Sequence, residues 1–271
     1  MARSSAGGDA LAPDRAGRAH LSIVIPAYNE EQRLPATLSA VVEYLNQHRL
    51  PGEILVIDDG SRDGSARVAG EVLAGGRGRV LRNPENRGKG FSVRRGILEA
   101  GGRWVLMMDA DLSTPIEEHA KLATVARDHD LDIVIGSRGL PESQIEVRQN
   151  AMRELMGKTF NRLMRPMTGL PLRDTQCGFK LMDRARVRPL VERMIINGFA
   201  FDVELLFLAQ RFGLSMREVP VVWRNAPDSA VSMFTDPVAM LADVMRIRWR
   251  FRRGGYNPDV APSAGASGGA A

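Results

Sequence analysis

The stretch Trp104-Val-Leu-Met-Met-Asp-Ala-Asp111 decides how the chain folds: an apolar run that ends in two carboxylates one residue apart. In extended backbone, residues i and i+2 project to the same side, so Asp109 and Asp111 can approach one divalent cation. Carboxylate oxygens suit Mg2+ or Mn2+. If the run is a buried parallel strand, the pair lies at its carboxyl end, where open α/β sheets bind ligands. Two acids that merely end a strand in a solvated turn are the plain alternative, so the reading depends on what else reaches that edge.

Outward from this stretch the chain alternates. Residues 21–26 are a short apolar run rich in β-branched residues and ended by Pro26, the pattern of a first strand. Apolar residues then recur at 34, 38, 41, 42 and 45, which is helical spacing, with Pro35 tolerated in the first turn. The unit repeats as a strand over 53–57 running into Asp58-Asp59-Gly60-Ser61, and a helix over 63–73 that Asp63 can cap. A short strand at 80–82, a turn-rich loop over 83–90, a helix over 92–100, the strand 104–109, a helix over 116–129 and a strand over 132–136 follow. Such alternation implies an α/β fold with a mainly parallel sheet and helices on both faces.

Beyond Ser137 the alternation fails. Residues 150–165 place Met152, Leu155, Met156, Phe160, Leu163 and Met164 on one helical stripe and Arg153, Lys158, Arg162 and Arg165 elsewhere, a basic amphipathic helix. A strand at 179–182, helices near 184–194 and 202–211, and a strand over 216–223 complete the body. A last amphipathic helix, 236–252, sets Met240, Leu241, Val244, Met245, Ile247 and Trp249 against Arg246, Arg248, Arg250, Arg252 and Arg253. Such a helix can lie in a membrane interface with arginines at the headgroups, and for 150–165 a core-packed helix with a solvated basic back is the equal alternative. Residues 1–19 and 254–271 are Gly-, Ala- and Ser-rich without periodicity and read as disordered tails around one domain, 20–253.

Composition narrows the classes. No apolar stretch reaches the roughly 18 residues of a membrane-spanning helix, and the first twenty residues lack the apolar centre of a secretory signal, so the expected location is cytoplasmic and peripheral to the membrane. Cys177 is the sole cysteine, which excludes an intramolecular disulfide and a multi-cysteine zinc site; it reads as a packed residue. The net charge of +5 favours an acidic partner. Trp249 and Phe251 interleave with arginines, but the apolar helical spacing fits lipid better than nucleic acid. His20, His48, His119 and His129 read as surface residues, and none stands near a serine or cysteine as a nucleophilic site requires. Neither a dinucleotide-binding glycine fingerprint nor a P-loop is present.

Instead, Pro26 to Glu30 and Asp58 to Ser61 both follow strands, so a parallel sheet puts them on the edge that carries Asp109 and Asp111. An aspartate there can accept the N3–H of uracil, and Lys89, in its glycine-rich loop, can meet a diphosphate. Two acidic motifs and one basic motif on one rim describe a pocket for a metal-chelated nucleoside diphosphate.

Six segments carry a family resemblance: Ile25-Pro-Ala-Tyr-Asn-Glu-Glu31, Val56-Ile-Asp-Asp-Gly-Ser61, Asn86-Arg-Gly-Lys-Gly90, Asp109-Ala-Asp-Leu112, Gly136-Ser-Arg138 and Asp174-Thr-Gln-Cys-Gly-Phe-Lys180. In this order and spacing the chain resembles the family 2 glycosyltransferases of GT-A (Rossmann-like) fold over about residues 21 to 250. It is most similar to their dolichyl-phosphate β-glucosyltransferase branch, which the 174–180 segment and Phe201-Asp-Val-Glu-Leu-Leu206 favour over the mannosyl-phosphate one.

The resemblance implies an inverting, metal-dependent transfer of a sugar, glucose above all, from a UDP-sugar donor to a polyprenyl or dolichyl monophosphate. Pro26, Ala27, Tyr28 and Glu30 would hold the nucleoside, Asp58 the base, and Asp109, Ala110 and Asp111 the ribose, diphosphate and metal. Arg138 and Arg153, with Arg148 as a nearby substitute, would receive the acceptor phosphate. Asp202 and Glu204 match an acidic pair in which related enzymes place a catalytic base. A phosphate monoester has a second pKa near 6, so the acceptor is already ionised at neutral pH and Arg138 should matter more than Asp202. Donors such as UDP-N-acetylhexosamine, UDP-galactose or GDP-mannose remain open. Eukaryotic relatives carry an N-terminal anchor and many bacterial ones C-terminal spanning helices; this chain shows neither pattern, so its amphipathic helices would bring it to the membrane. Two rivals stand beside this reading. Asp109-Ala-Asp-Leu-Ser113 approximates a haloacid-dehalogenase phosphatase loop, but three strands precede it where that loop follows the first. A non-catalytic nucleotide-binding protein at the membrane surface is the other, and the intact acids at 58, 109 and 111 speak against it.

Overall fold

The computed structural model describes residues 20–147, 166–224 and 235–257. In chain order they form β1 (Leu21–Ala27), α1 (Leu34–Gln47), β2 (Gly52–Asp58), α2 (Ser65–Leu73), β3 (Gly78–Arg82), α3 (Lys89–Glu99), β4 (Trp104–Met107), α4 (Glu118–Asp128), β5 (Ile133–Ser137) and β6 (Gln144–Val147). Then come β7 (Lys180–Asp183), α5 (Arg184–Val191), α6 (Phe201–Arg211), β8 (Met216–Pro220), β9 (Val222–Arg224) and α7 (Thr235–Arg252).

Strand alternation sorts the side chains into two cores. Ile23, Ile25, Ile54, Val56 and Leu106 point to one face of the sheet and meet Leu34, Leu38 and Leu45 of α1, Ala69 of α2 and Leu122 of α4. Val24, Leu55, Ile57, Val105 and Met107 point to the other and meet Val93 and Ile97 of α3, Val187 of α5 and Phe201 and Leu205 of α6. Helices thus cover both faces, as the buried apolar strands require.

The main sheet runs β3-β2-β1-β4-β7-β5-β8. β1 pairs in parallel with β2 and β4, and β5 with β8, whereas β7 is antiparallel to both β4 and β5. The order reverses between β1 and β4, and the crevice outside the carboxyl ends of such neighbours is where open α/β sheets bind ligands. β7 runs the other way, so its first residue, Lys180, reaches that same rim.

Several expectations are corrected. The strand foreseen over 216–223 is two strands: β8 ends at Pro220, which has no N–H to extend the ladder, and β9 crosses to pair with β6 in a second, two-stranded sheet. α3 begins at Lys89 itself, so this lysine belongs to the first turn of a helix rather than to the loop. Asp63 precedes the α2 cap position, Gly64, and accepts from the Ser65 N–H and hydroxyl. His20 and His119 are buried, not surface residues: His119 lies on the face of α4 turned to the core, where its Nδ1 meets the Tyr44 hydroxyl at 3.0 Å. Tyr256, assigned to the trailing tail, is buried and donates to Glu204 Oε1. Cys177 is buried, as foreseen. The 150–165 helix, the 1–19 tail and the 254–271 tail from residue 258 onward lie outside the described residues.

Candidate active site

The rim is built by hydrogen bonds between loops that follow strands. Asp58 ends β2 in register with Ala27 of β1, and the Asp59 N–H donates to the Ala27 carbonyl at 2.8 Å. Asn29 adopts a left-handed backbone (φ 55°), which turns the Tyr28–Glu30 segment across the β2 loop. There the Asn29 N–H donates to Ser61 Oγ and the Glu30 N–H to Ser65 Oγ, and Asn29 Oδ1 accepts from the Arg62 N–H. Pro26, Ala27, Tyr28, Glu30 and Asp58 therefore stand together.

Asp58 is fully buried; its Oδ1 accepts the Ser61 N–H, and its Oδ2 lies 3.1 Å from Arg82 Nε without hydrogen-bond geometry. A buried oxygen so placed retains acceptor capacity for a base N–H. Burial raises the Glu30 carboxyl above its usual range; nearby Arg33 opposes this, and Asp111 and Asp109 add to it.

β4 delivers the acidic pair. The Met108 N–H still bonds the Val24 carbonyl at 3.1 Å, after which Asp109-Ala110-Asp111 leaves the sheet. The Ala110 carbonyl is pinned by the Thr37 hydroxyl at 2.7 Å, and Asp111 Oδ1 accepts the Ser113 N–H at 2.9 Å. Leu112 between them is held at φ 52°, a conformation that costs a branched residue energy and that packed neighbours must enforce. The Arg224 N–H of β9 donates to the Ser113 carbonyl, so the small sheet buttresses this turn.

Lys89 Nζ donates to Asp109 Oδ1 at 2.5 Å. Burial works against charge on both groups, but each offsets it for the other: the carboxyl is held below its ordinary range, with Lys180 and Arg138 assisting, and the ammonium above its own. The backbone before Lys89 is fixed by Asp59, whose oxygens accept the Arg87 and Gly88 N–H groups at 3.1 and 2.8 Å. Gly88 has φ 96°, and a β-carbon there would strike the Asn197 carbonyl, so only glycine fits. That carbonyl accepts the Gly90 and Phe91 N–H groups, so these two donors of the first turn of α3 are already taken.

Three residues without an assigned role in the sequence complete the site: Asp59, Asp174 and Lys180. Asp174, buried, receives Arg138 in a two-pronged ion pair, Nε to Oδ2 at 2.6 Å and Nη2 to Oδ1 at 2.9 Å. Despite burial, Arg138 holds the Asp174 carboxyl below its usual range. Lys180, fully buried, donates to the Cys177 carbonyl at 2.6 Å and to Asp202 Oδ1 at 2.5 Å. Glu204 faces elsewhere: its oxygens accept the Ile195 and Ile196 N–H groups at 2.9 Å and the Tyr256 hydroxyl, which makes it a buried structural acceptor. Arg153 and Arg148 lie outside the described residues.

Among the described residues no three His, Cys, Asp or Glu side chains gather as a metal cage. Two carboxylates fit a small hard cation that takes its other ligands from water and from a substrate's phosphates, which is how Mg2+ is usually bound at nucleotide sites.

Comparison with known proteins places this geometry. The profile of glycosyl transferase family 2 matches residues 22–189. The chain belongs to that family. Among curated relatives, dolichyl-phosphate beta-glucosyltransferase of Dictyostelium discoideum is 34% identical over 247 residues, covering 87% of this chain and 76% of the relative. Those of Drosophila melanogaster and Homo sapiens are 36% and 34% identical over 249 residues, with the same 87% of this chain and 76% and 77% of the relatives covered. In solved structures the fold is shared with glucosyl-3-phosphoglycerate synthase of Mycobacterium tuberculosis, with a TM-score of 0.65, 19% identity and coverage of 86% and 80%. It is shared as well with mannosyl-3-phosphoglycerate synthase of Rubrobacter xylanophilus, with a TM-score of 0.64, 22% identity and coverage of 89% and 77%. The mycobacterial enzyme has been crystallised with Mn2+ or Mg2+ together with UDP. The family 2 glycosyltransferase is thus an α/β enzyme of GT-A type whose Asp58, Lys89, Asp109 and Asp111 converge on one rim.

Proposed function

We propose that this glycosyltransferase moves glucose, with inversion, from UDP-glucose to a polyprenyl monophosphate of the dolichyl type at the cytosolic membrane surface. The observation that carries the reading is the convergence of a buried base acceptor, Asp58, with Lys89 and the Asp109–Asp111 pair where the strand order reverses. The names of the curated relatives support the substrates.

Pro26, Ala27, Tyr28, Glu30 and Asp58 receive the nucleoside, and Asp109, Ala110 and Asp111 face the ribose and diphosphate. Asp109 and Asp111 would hold Mg2+ or Mn2+, which when bound neutralises charge on the departing diphosphate. Lys89 adds a second positive charge there. The acceptor's phosphate is largely ionised at neutral pH and is its own nucleophile, so no side chain has to take a proton from it. Arg138 serves it as a fixed cation: with Nε and Nη2 held by Asp174, the guanidinium cannot rotate, and Nη1, which donates no hydrogen bond among the described residues, is left for the phosphate. Asp202 stands as the counterion of Lys180 rather than as a base.

Binding to the membrane is supported by α7. Met245 and Trp249, four residues apart on one helical face, are 56% and 57% exposed, and the Arg253 guanidinium lies 4.2 Å from the Trp249 ring centre. The opposite face is seated in the protein through Met240, Val244 and Ile247. No helix of the described residues is long and apolar enough to cross a membrane.

The test is an incubation with radiolabelled UDP- and GDP-sugars and a short polyprenyl phosphate. Label from UDP-glucose in the lipid product is expected. Label only from another sugar nucleotide, or only in a water-soluble product, would refute the assignment.

A further inference from the structure

The ammonium of Lys89 occupies Asp109 Oδ1 at 2.5 Å, which is ground a divalent cation would have to take. The carboxylate has little room to turn and receive both, because it packs against Gly178 so closely that a β-carbon there would collide with both its oxygens. Nor can the Lys89 backbone retreat, since Asp59 holds the Gly88 N–H and the Asn197 carbonyl holds that of Gly90. Only the four-carbon stem of Lys89 is free to swing. A dication beside an ammonium on one carboxylate is opposed by their mutual repulsion, which a partly buried site screens poorly. A diphosphate removes the conflict by giving the ammonium another anion.

We propose that Lys89 is an exchangeable stand-in cation: without donor it neutralises Asp109 and opposes metal binding, and it passes to the diphosphate when the donor enters, releasing Asp109 to the metal. This rests on the donor site proposed above and makes metal and nucleotide binding strongly coupled, with Lys89 as the carrier of the coupling. Asp111, whose Oδ1 is bonded to the Ser113 N–H, is the ligand available beforehand.

Mn2+ affinity, measured by electron paramagnetic resonance of the free ion with and without UDP, tests this in the wild type, Lys89→Met and Lys89→Arg. UDP should tighten Mn2+ binding by at least about fivefold in the wild type, in the usual range of coupling between sites. Lys89→Met should bind Mn2+ alone at least about fivefold more tightly than the wild type and lose most of the enhancement by UDP, while Lys89→Arg should behave as the wild type. Absence of coupling in the wild type overturns the inference whatever the variants do. So does a Lys89→Met protein that binds Mn2+ alone no better than the wild type. If none of the proteins binds Mn2+ in either condition, the metal reading of the site fails together with this one.

Discussion

Lys180 Nζ and Asp202 Oδ1 are 2.5 Å apart in a fully enclosed pair that joins the first residue of β7 to the first turn of α6. Lys180 also donates to the Cys177 carbonyl, so it ties the Asp174–Gly178 loop to the same helix. Removing one partner of a buried pair leaves a charge without compensation, which typically costs about 3–5 kcal/mol. Asp202→Asn and Lys180→Met should each lose stability on this scale in urea unfolding, and the double variant should lose less than the sum. A residual transfer rate in folded Asp202→Asn is expected; an Asp202→Asn protein of unchanged stability with no transfer would make Asp202 the base after all.

Arg138 and Asp174 form the corresponding pair at the site proposed for the acceptor, but here one partner is exposed enough to meet substrate. Arg138→Ala should weaken the acceptor phosphate site and, by stranding buried Asp174, lower stability by about 3 kcal/mol. Arg138→Lys keeps the charge but not the two-pronged geometry, so it should retain more stability than activity. Steady-state kinetics on the lysine variant would show this as a fall in kcat/KM for the polyprenyl phosphate. Retention of kcat/KM by Arg138→Lys would remove Arg138 from the acceptor site.

The acidic pair predicts a sharp division between fold and function. Asp111 is partly exposed and bonded to one neighbouring N–H, so Asp111→Asn should fold with melting within about 0.5 kcal/mol of the wild type, as surface changes usually do. Transfer should nevertheless be lost, and chelation of divalent cations from the wild type should produce the same loss, reversed by Mg2+ or Mn2+. Full transfer in the presence of chelator would defeat the metal assignment for Asp109 and Asp111.

How much of this was legible in the sequence depends on the range of the interaction. β1, β2 and β4 could be read because neighbours such as Ile23 and Val24 alternate between two cores, and the rim followed because acids at 58, 109 and 111 stand at or just past the carboxyl ends of β2 and β4. The direction of β7 could not be read: Lys-Leu-Met-Asp carries nothing that distinguishes parallel from antiparallel, and a lysine at its start looks solvated. β6 and β9 are too short for periodicity to declare them. The partners of the buried cations were hidden for a related reason, since Lys180 finds Asp202 across 22 residues and Arg138 finds Asp174 across 36. His119 misled because helical position alone does not reveal which face turns inward.

His119 gives the fold a pH dependence remote from the active site. Burial, with His20 and His48 nearby, lowers its pKa from 6.5 to about 4 in the folded protein. Between these values the unfolded chain binds the extra proton, so stability falls as pH drops from about 6.5 towards 4 and is unaffected by this group above that range. At about 1.4 kcal/mol per pH unit the loss at the acid end approaches 3 kcal/mol. His119→Gln, which can still meet the Tyr44 hydroxyl, should flatten the slope of melting temperature against pH in that window. A slope unchanged by the substitution would mean that other groups dominate acid unfolding.

The face of α7 proposed to meet the membrane can be altered apart from the chemistry, because Met245 and Trp249 point away from the helix face that packs on the protein. An interfacial helix binds through buried apolar area plus attraction of its basic residues to anionic lipid. Trp249→Glu with Met245→Glu replaces both apolar contributions by charges that anionic headgroups repel. The variant should therefore lose sedimentation with phosphatidylglycerol-containing liposomes and lose transfer to polyprenyl phosphate embedded in them. It should keep transfer to a short, detergent-soluble polyprenyl phosphate, since neither residue belongs to the donor rim or to the Arg138 site. Equal loss with both acceptors would place these residues in catalysis or stability instead, and undiminished liposome binding would move the membrane contact to another part of the chain.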